Sequence, residues 1–214
     1  MENAKETKQP VWNSKKAGPI LLFVLIVVAI ALTFPRKDAA GRLFFVGDSR
    51  TIDMFADSDE TLESEEHDGV LVSAWHGRGF DYLDAVVVEL GIGEGDTLVS
   101  WMGANDRGNF APYGALYDRL LSEGITLIVC TVGPTDPSVM EDWYRDAYEN
   151  TRMEEFNRSL VTWAASNNVP VIDLYAHIKN NVEIDAEDGI HYLPRPDPAL
   201  WDFILDKLKA YGAL

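Results

Sequence analysis

Residues 125–133 read ITLIVCTVG, a run without a charged side chain, rich in β-branched residues and ending on glycine. Such a run, short and set between polar segments, marks a buried strand rather than a helix. Working outward, four more runs have the same character: Arg42–Gly47, Val70–Trp75, Thr97–Gly103 and Val169–Tyr175. Between them lie stretches of helical character, Arg50–Phe55, Tyr82–Leu90, Tyr113–Ser122 and Val139–Ser166, the last broken near Asn150. Pro198–Tyr211 closes the chain, with Leu200, Phe203, Ile204, Leu208 and Tyr211 on one helical face. Strands alternating with helices predict an α/β fold, a central and mainly parallel five-stranded sheet covered on both sides. The acidic stretch Ser58–Asp68 (SDETLESEEHD) reads as a solvated surface loop.

The chain has 214 residues and a net charge of −17. Residues 1–40 carry six basic and three acidic side chains, which leaves 12 basic and 32 acidic in the rest, a net of −20. An acidic domain is a poor ligand for a phosphate backbone, so nucleic-acid binding is disfavoured. One cysteine, Cys130, excludes an internal disulfide framework, and its place in an apolar strand suits an inert thiol. The four histidines are scattered without metal-ligand spacing.

Ala17–Phe34 contains no charge, and eighteen residues of helix rise about 27 Å, near the hydrocarbon thickness of a bilayer. The expected organisation is a cytoplasmic tail at 1–16, a transmembrane signal anchor at 17–35, a linker at 36–41 and a soluble domain at 42–214. Lys5, Lys8, Lys15 and Lys16 favour a cytoplasmic N-terminus and an extracytoplasmic domain, and Arg36, Lys37 and Arg42 weaken that bias. Secretion after cleavage of a signal peptide is the alternative.

In a parallel sheet, functional groups gather beyond the carboxyl ends of the strands. After the first strand comes Gly47-Asp48-Ser49, which reads either as a helix cap or as a turn that exposes a serine. After the second comes His76-Gly77-Arg78-Gly79, whose glycines allow close backbone approach. After the third comes Gly103-Ala104-Asn105-Asp106, where an Asn amide can form a turn or donate to an oxyanion. Near the C-terminus comes Asp188-Gly189-Ile190-His191, an acid spaced to orient an imidazole that acts as base.

These four segments, in this order, resemble the blocks of the GDSL/SGNH hydrolase family over about residues 42–211. The first block reads Gly-Asp-Ser-Arg instead of Gly-Asp-Ser-Leu. The second is loose, since Gly77 and Gly79 both qualify, and Gly77 is taken as nearer the strand end. The resemblance implies a flavodoxin-like three-layer α/β/α sandwich and a serine esterase. Ser49 would be the nucleophile, His191 the base and Asp188 its orienting acid, with Ser49 N–H, Gly77 N–H and the Asn105 side chain forming the oxyanion hole. The resemblance implies neither a metal nor an organic cofactor.

The expected substrate is a small acyl ester, an O-acetyl group on carbohydrate being favoured. Alternatives are an O-acyltransferase acting on envelope glycans, a lipase or phospholipase, and a non-catalytic surface binding domain. Oligomeric state is not legible. His67 is expected to be exposed, and His177 to start a helix. His76 abuts the site. Trp75, Trp101 and Trp143 are candidate cleft aromatics with core packing as the default, and Arg78 and Arg107 flank the blocks.

Overall fold

The computed structural model describes residues 41–56 and 61–214. The expected anchor at 17–35 lies outside these residues, and among them no helix is long and apolar enough to cross a membrane.

Six strands form the main sheet: β1 (Leu43–Gly47), β2 (Leu62–His67), β3 (Val70–Ala74), β4 (Thr97–Trp101), β5 (Thr126–Cys130) and β6 (Val171–Ile172). Their order is β2-β3-β1-β4-β5-β6, and all neighbours are parallel except the β2–β3 pair. The chain leaves β1 for β3 on one side, then crosses to β4 on the other. The carboxyl end of β1 is therefore a switch point, where an open α/β sheet presents a crevice.

Alternation along the strands divides the core. Phe44, Val46, Leu98, Leu127 and Val129 face one layer, built from α2 (Phe80–Glu89), α3 (Ala111–Ser122) and α5 (Asn150–Asn167). Phe45, Val72, Val99, Ile128 and Ile172 face the other, built from α1 (Ser49–Ile52), α6 (Leu174–Asn181) and α7 (Pro198–Ala210). The inner strands β1, β3, β4 and β5 are covered on both faces, which is why each reads as a continuous apolar run instead of an alternating one. Cys130 is buried in this core, and burial pushes its thiol upward, away from thiolate chemistry.

The sheet departs from the expected five strands. The acidic stretch is not a loop throughout: residues 62–67 form β2, an antiparallel edge strand turned back by Asp68-Gly69. Only Leu62 of that strand is fully buried, so it lacks the apolar signal of an inner strand. Charged side chains on an edge also oppose pairing with another chain. The fifth expected strand is cut short, because Asp173 caps α6 by accepting from Ala176 N and the chain turns helical at Leu174. His177 accordingly sits inside α6 and stacks on Phe203 instead of opening a helix. His67 is half-buried against Phe55, with ring centroids 4.0 Å apart, and is not freely exposed. The long helical stretch breaks at Glu149, whose ψ of 139° is extended, leaving α4 (Asp142–Tyr148) and α5. A short hairpin of β7 (Glu183–Ile184) and β8 (Tyr192–Leu193) completes the fold.

Candidate active site

Ser49 is the first residue of α1, directly after β1. Gly47 is required for this turn, since a Cβ there would overlap the Thr51 side chain. Asp48 caps the helix, its Oδ1 accepting from Arg50 N at 3.1 Å. Ser49 is thereby left on the floor of a cavity of about 220 Å3 at the switch point.

Asp188 and His191 arrive from the other end of the chain, in the loop between β7 and β8. That loop is pinned on both sides. Asp185 N donates to the His191 carbonyl at 2.9 Å, and Asp136 N donates to the Gly189 carbonyl at 2.8 Å. Gly189 has φ +72°, and a side chain there would run into Asp136. His191 Nε2 lies 2.9 Å from Ser49 Oγ, and His191 Nδ1 lies 2.6 Å from Asp188 Oδ2. The other Asp188 oxygen accepts from Ile190 N at 2.7 Å and His191 N at 3.0 Å.

The electrostatics follow from these contacts. Burial disfavours the Asp188 carboxylate, but the His191 ring and the two backbone N–H donors outweigh it and hold the carboxyl down to about 2. Burial likewise opposes charging of His191. The hydrogen bond to Asp188 and the charges of Asp53 and Asp188 prevail, so the imidazole pKa is raised. Asp53, beyond α1, is pushed up to about 6 by burial, against the pull of His191 and Arg195.

The two glycines of the second block have separate places. Gly77 has φ +63° and lines the cavity with open space on its Cα. Gly79 precedes α2 and packs against Asp106, whose Oδ1 accepts from Phe80 N at 3.2 Å and whose Oδ2 accepts from Tyr113 OH at 2.6 Å. Asn105 stands in a single 3-10 turn, Ala104–Asp106, entered through Gly103 at φ +116°. Tyr148 OH donates to Asn105 Oδ1 at 2.6 Å, and Asn105 Nδ2 donates to the Arg78 carbonyl at 2.8 Å and to Asp48 Oδ2 at 3.2 Å. The amide is thus fixed at the cavity wall, and donation to a bound oxygen competes with these two acceptors.

The remaining candidates divide. His76 lines the cavity. Arg78 lies over the Trp75 ring at 4.3 Å, and Arg107 pairs with Asp146 on the surface, so neither guanidinium faces Ser49. Trp101 is core. Trp143 is 64% exposed on α4 and stacks at 3.5 Å on Tyr144, which lines the cavity. Sequence reasoning passed over Tyr148, Asp53 and Arg50. Tyr148 and Asp53 carry no local signal. Arg50 was visible as the departure from Gly-Asp-Ser-Leu. Among the described residues no group of His, Cys, Asp or Glu is arranged to hold a metal ion.

Comparison with family models finds no match, and comparison with curated proteins finds none. Solved structures do match. Lipases and esterases are among them. A lipase/acylhydrolase from Enterococcus faecalis superposes with a TM-score of 0.59 at 21% identity, over 79% of this chain and 96% of that one. A GDSL-like lipase from Bacteroides thetaiotaomicron gives 0.57 at 17% identity, over 90% and 98%. An acetyl xylan esterase, AlAXEase, gives 0.55 at 17% identity, over 78% and 98%. At these identities the likeness establishes a shared α/β fold with a mostly parallel sheet, and the chemistry rests on the residues themselves.

Proposed function

We propose that the protein is a membrane-anchored, extracytoplasmic serine esterase acting on short acyl esters, with O-acetylated carbohydrate as the favoured substrate class. The observation that carries this reading is the continuous line from Ser49 Oγ to His191 Nε2, and from His191 Nδ1 to Asp188, inside a cavity. Serine is a weak nucleophile until a base takes its proton. As Ser49 Oγ bonds to the ester carbon, its proton passes to His191 Nε2 and the carbonyl π pair moves onto oxygen. Collapse of that oxyanion breaks the bond to the alcohol, which leaves with the proton from His191. Water repeats the sequence and releases the acid. Asp188 keeps Nδ1 as the donor and favours the imidazolium that forms.

Ser49 N–H, Gly77 N–H and Asn105 Nδ2 are the proposed oxyanion donors. The first two have no protein acceptor among the described residues, so both are available to a reacting carbonyl. The small cavity supports a short acyl group over a long chain. The stacked Trp143 and Tyr144 at its edge suit a sugar ring, and an acetyl xylan esterase is among the solved structures of this fold. The apolar run Ala17–Phe34 supports the anchor and ends about 15 residues before Ser49, which favours substrates at the cell surface.

The test is hydrolysis of p-nitrophenyl acetate and longer homologues by purified full-length protein. Ser49→Ala and His191→Ala should each lower kcat by at least about 1,000-fold. Undiminished hydrolysis by the Ser49 variant would refute the mechanism. A rate that climbs with chain length would replace the short-acyl reading with a lipase.

A further inference from the structure

Arg50 follows the proposed nucleophile and is only 2% exposed, the largest fully buried side chain among the described residues. Its guanidinium makes no ion pair with any described carboxylate. Nη1 donates to the Gly133 carbonyl at a long 3.4 Å, the Tyr192 ring lies 5.5 Å below Cζ, and Nη2 is buried without a partner. Asp48 attracts the guanidinium through the interior without forming an ion pair, since its oxygens are turned onto Arg50 N and Asn105 Nδ2, and burial pushes its carboxyl upward, which weakens it as a counter-charge. An arginine cannot escape by losing its proton, and a buried charge without a partner is costly. Yet this one lines the cavity that holds Ser49, Asn105 and His191.

Resting on the serine esterase reading, we infer that Arg50 is a positioning residue of the reaction: its standing positive charge is the counter-charge for the oxyanion that forms over Ser49. The ester is neutral when it binds, and the tetrahedral state is negative. A cation left under-compensated in the free site therefore interacts more strongly with the transition state than with the substrate, which is the condition for raising kcat. The field acts through a low-dielectric interior and needs no contact with the reacting atoms. The charge also bears on the base. The groups around the centre are Asp48 and Asp53 flanking α1, Asp188 beside the ring, Asp106 after β4, His76 after β3, Tyr148 on α4, and Tyr192 and Arg195 from the β8 segment. Asp53 and Asp188 favour the imidazolium, and Arg50 opposes it.

Arg50→Met and Arg50→Lys in the full chain test this, beside wild type and Ser49→Ala. Three quantities are read: kcat and KM on p-nitrophenyl acetate, the affinity of phenylboronic acid, which forms an anionic tetrahedral adduct on a serine, and the acid limb of the pH–rate profile. Arg50→Met should lower kcat about 10- to 100-fold with KM within about twofold, less than or at most equal to the roughly 100-fold or greater cost of one lost oxyanion donor in direct contact. Boronate affinity should fall in parallel, and the acid limb should move to higher pH. Arg50→Lys should restore the limb and part of kcat. Because methionine removes an unpaired buried charge, the melting temperature should not fall. The inference is overturned if folded Arg50→Met keeps its kcat and boronate affinity, if the limb stays fixed, or if lysine is no better than methionine. Should Arg50→Met fail to fold, Arg50→Lys decides alone: a wild-type limb with at least a tenth of wild-type kcat supports the inference, and a shifted limb or a deeper loss overturns it. A Ser49→Ala variant as active as wild type removes the esterase reading and this inference with it. An inactive Ser49→Ala beside an unaffected Arg50→Met removes this inference alone.

Discussion

His191 sits between opposing charges, and its titration is where the geometry becomes measurable. A free imidazole titrates near 6.5. In the fold, burial pulls that value down, while the Asp188 hydrogen bond and the Asp53 and Asp188 charges raise it further than burial lowers it. In the proposed mechanism only the neutral ring accepts the serine proton, so kcat/KM should fall as pH drops through a value above 6.5. Asp53 is ionised there, since its own pKa is about 6. Asp53→Asn removes one charge that favours the imidazolium and should shift the acid limb to lower pH, which a pH–rate profile of the two proteins checks. Asn105 is a residue of another kind. Its amide is oriented by Tyr148 and held by Arg78 and Asp48 before any substrate enters. Asn105→Ala should cost about 100-fold in kcat with little change in KM.

The elements that carry these residues are held by glycines with distinct duties. Gly77 is in the left-handed region with open space around it, so Gly77→Ala should cost only about 1 kcal/mol of stability, from backbone strain. Gly79 lies against the Asp106 carboxylate, which ties α2 to Tyr113 of α3. Gly79→Ala forces that carboxylate away and should cost about 2–3 kcal/mol. Thermal denaturation of the two variants separates them, and esterase assays should show the greater loss of activity in Gly77→Ala. The inner strands and long helices were readable from sequence because a two-sided apolar run and a one-sided helical stripe are local patterns. β2 was not, because a charged edge strand owes its pairing to β3 rather than to its own composition. Nor was the β7–β8 hairpin, whose two-residue strands are too short to carry a periodicity.

For the whole molecule, charge is the prominent quantity. Residues 41–214 carry 32 acidic and 12 basic side chains, and in ion pairs such as Arg119 with Asp84 and Arg107 with Asp146 both partners are exposed. Exposed pairs contribute little, whereas the acidic surplus repels itself across the compact state. The melting temperature should therefore rise with added NaCl from about 10 mM to 200 mM, over which the Debye length shrinks from about 30 Å to under 10 Å. A scanning calorimetry series checks this, and a falling melting temperature would mean that the ion pairs outweigh the repulsion. The sequence by itself determined the layered α/β architecture and the identities of Ser49, Asn105, Asp188 and His191 as candidates, because apolar runs and short motifs are written in consecutive residues. The tertiary structure alone decided that Ser49 and His191, 142 positions apart, meet at 2.9 Å, that Gly77 and not Gly79 lines the cavity, and that Arg50 is buried with no ion pair to a described carboxylate. Those are distances between segments brought together by sheet order and core packing, and no local pattern encodes them.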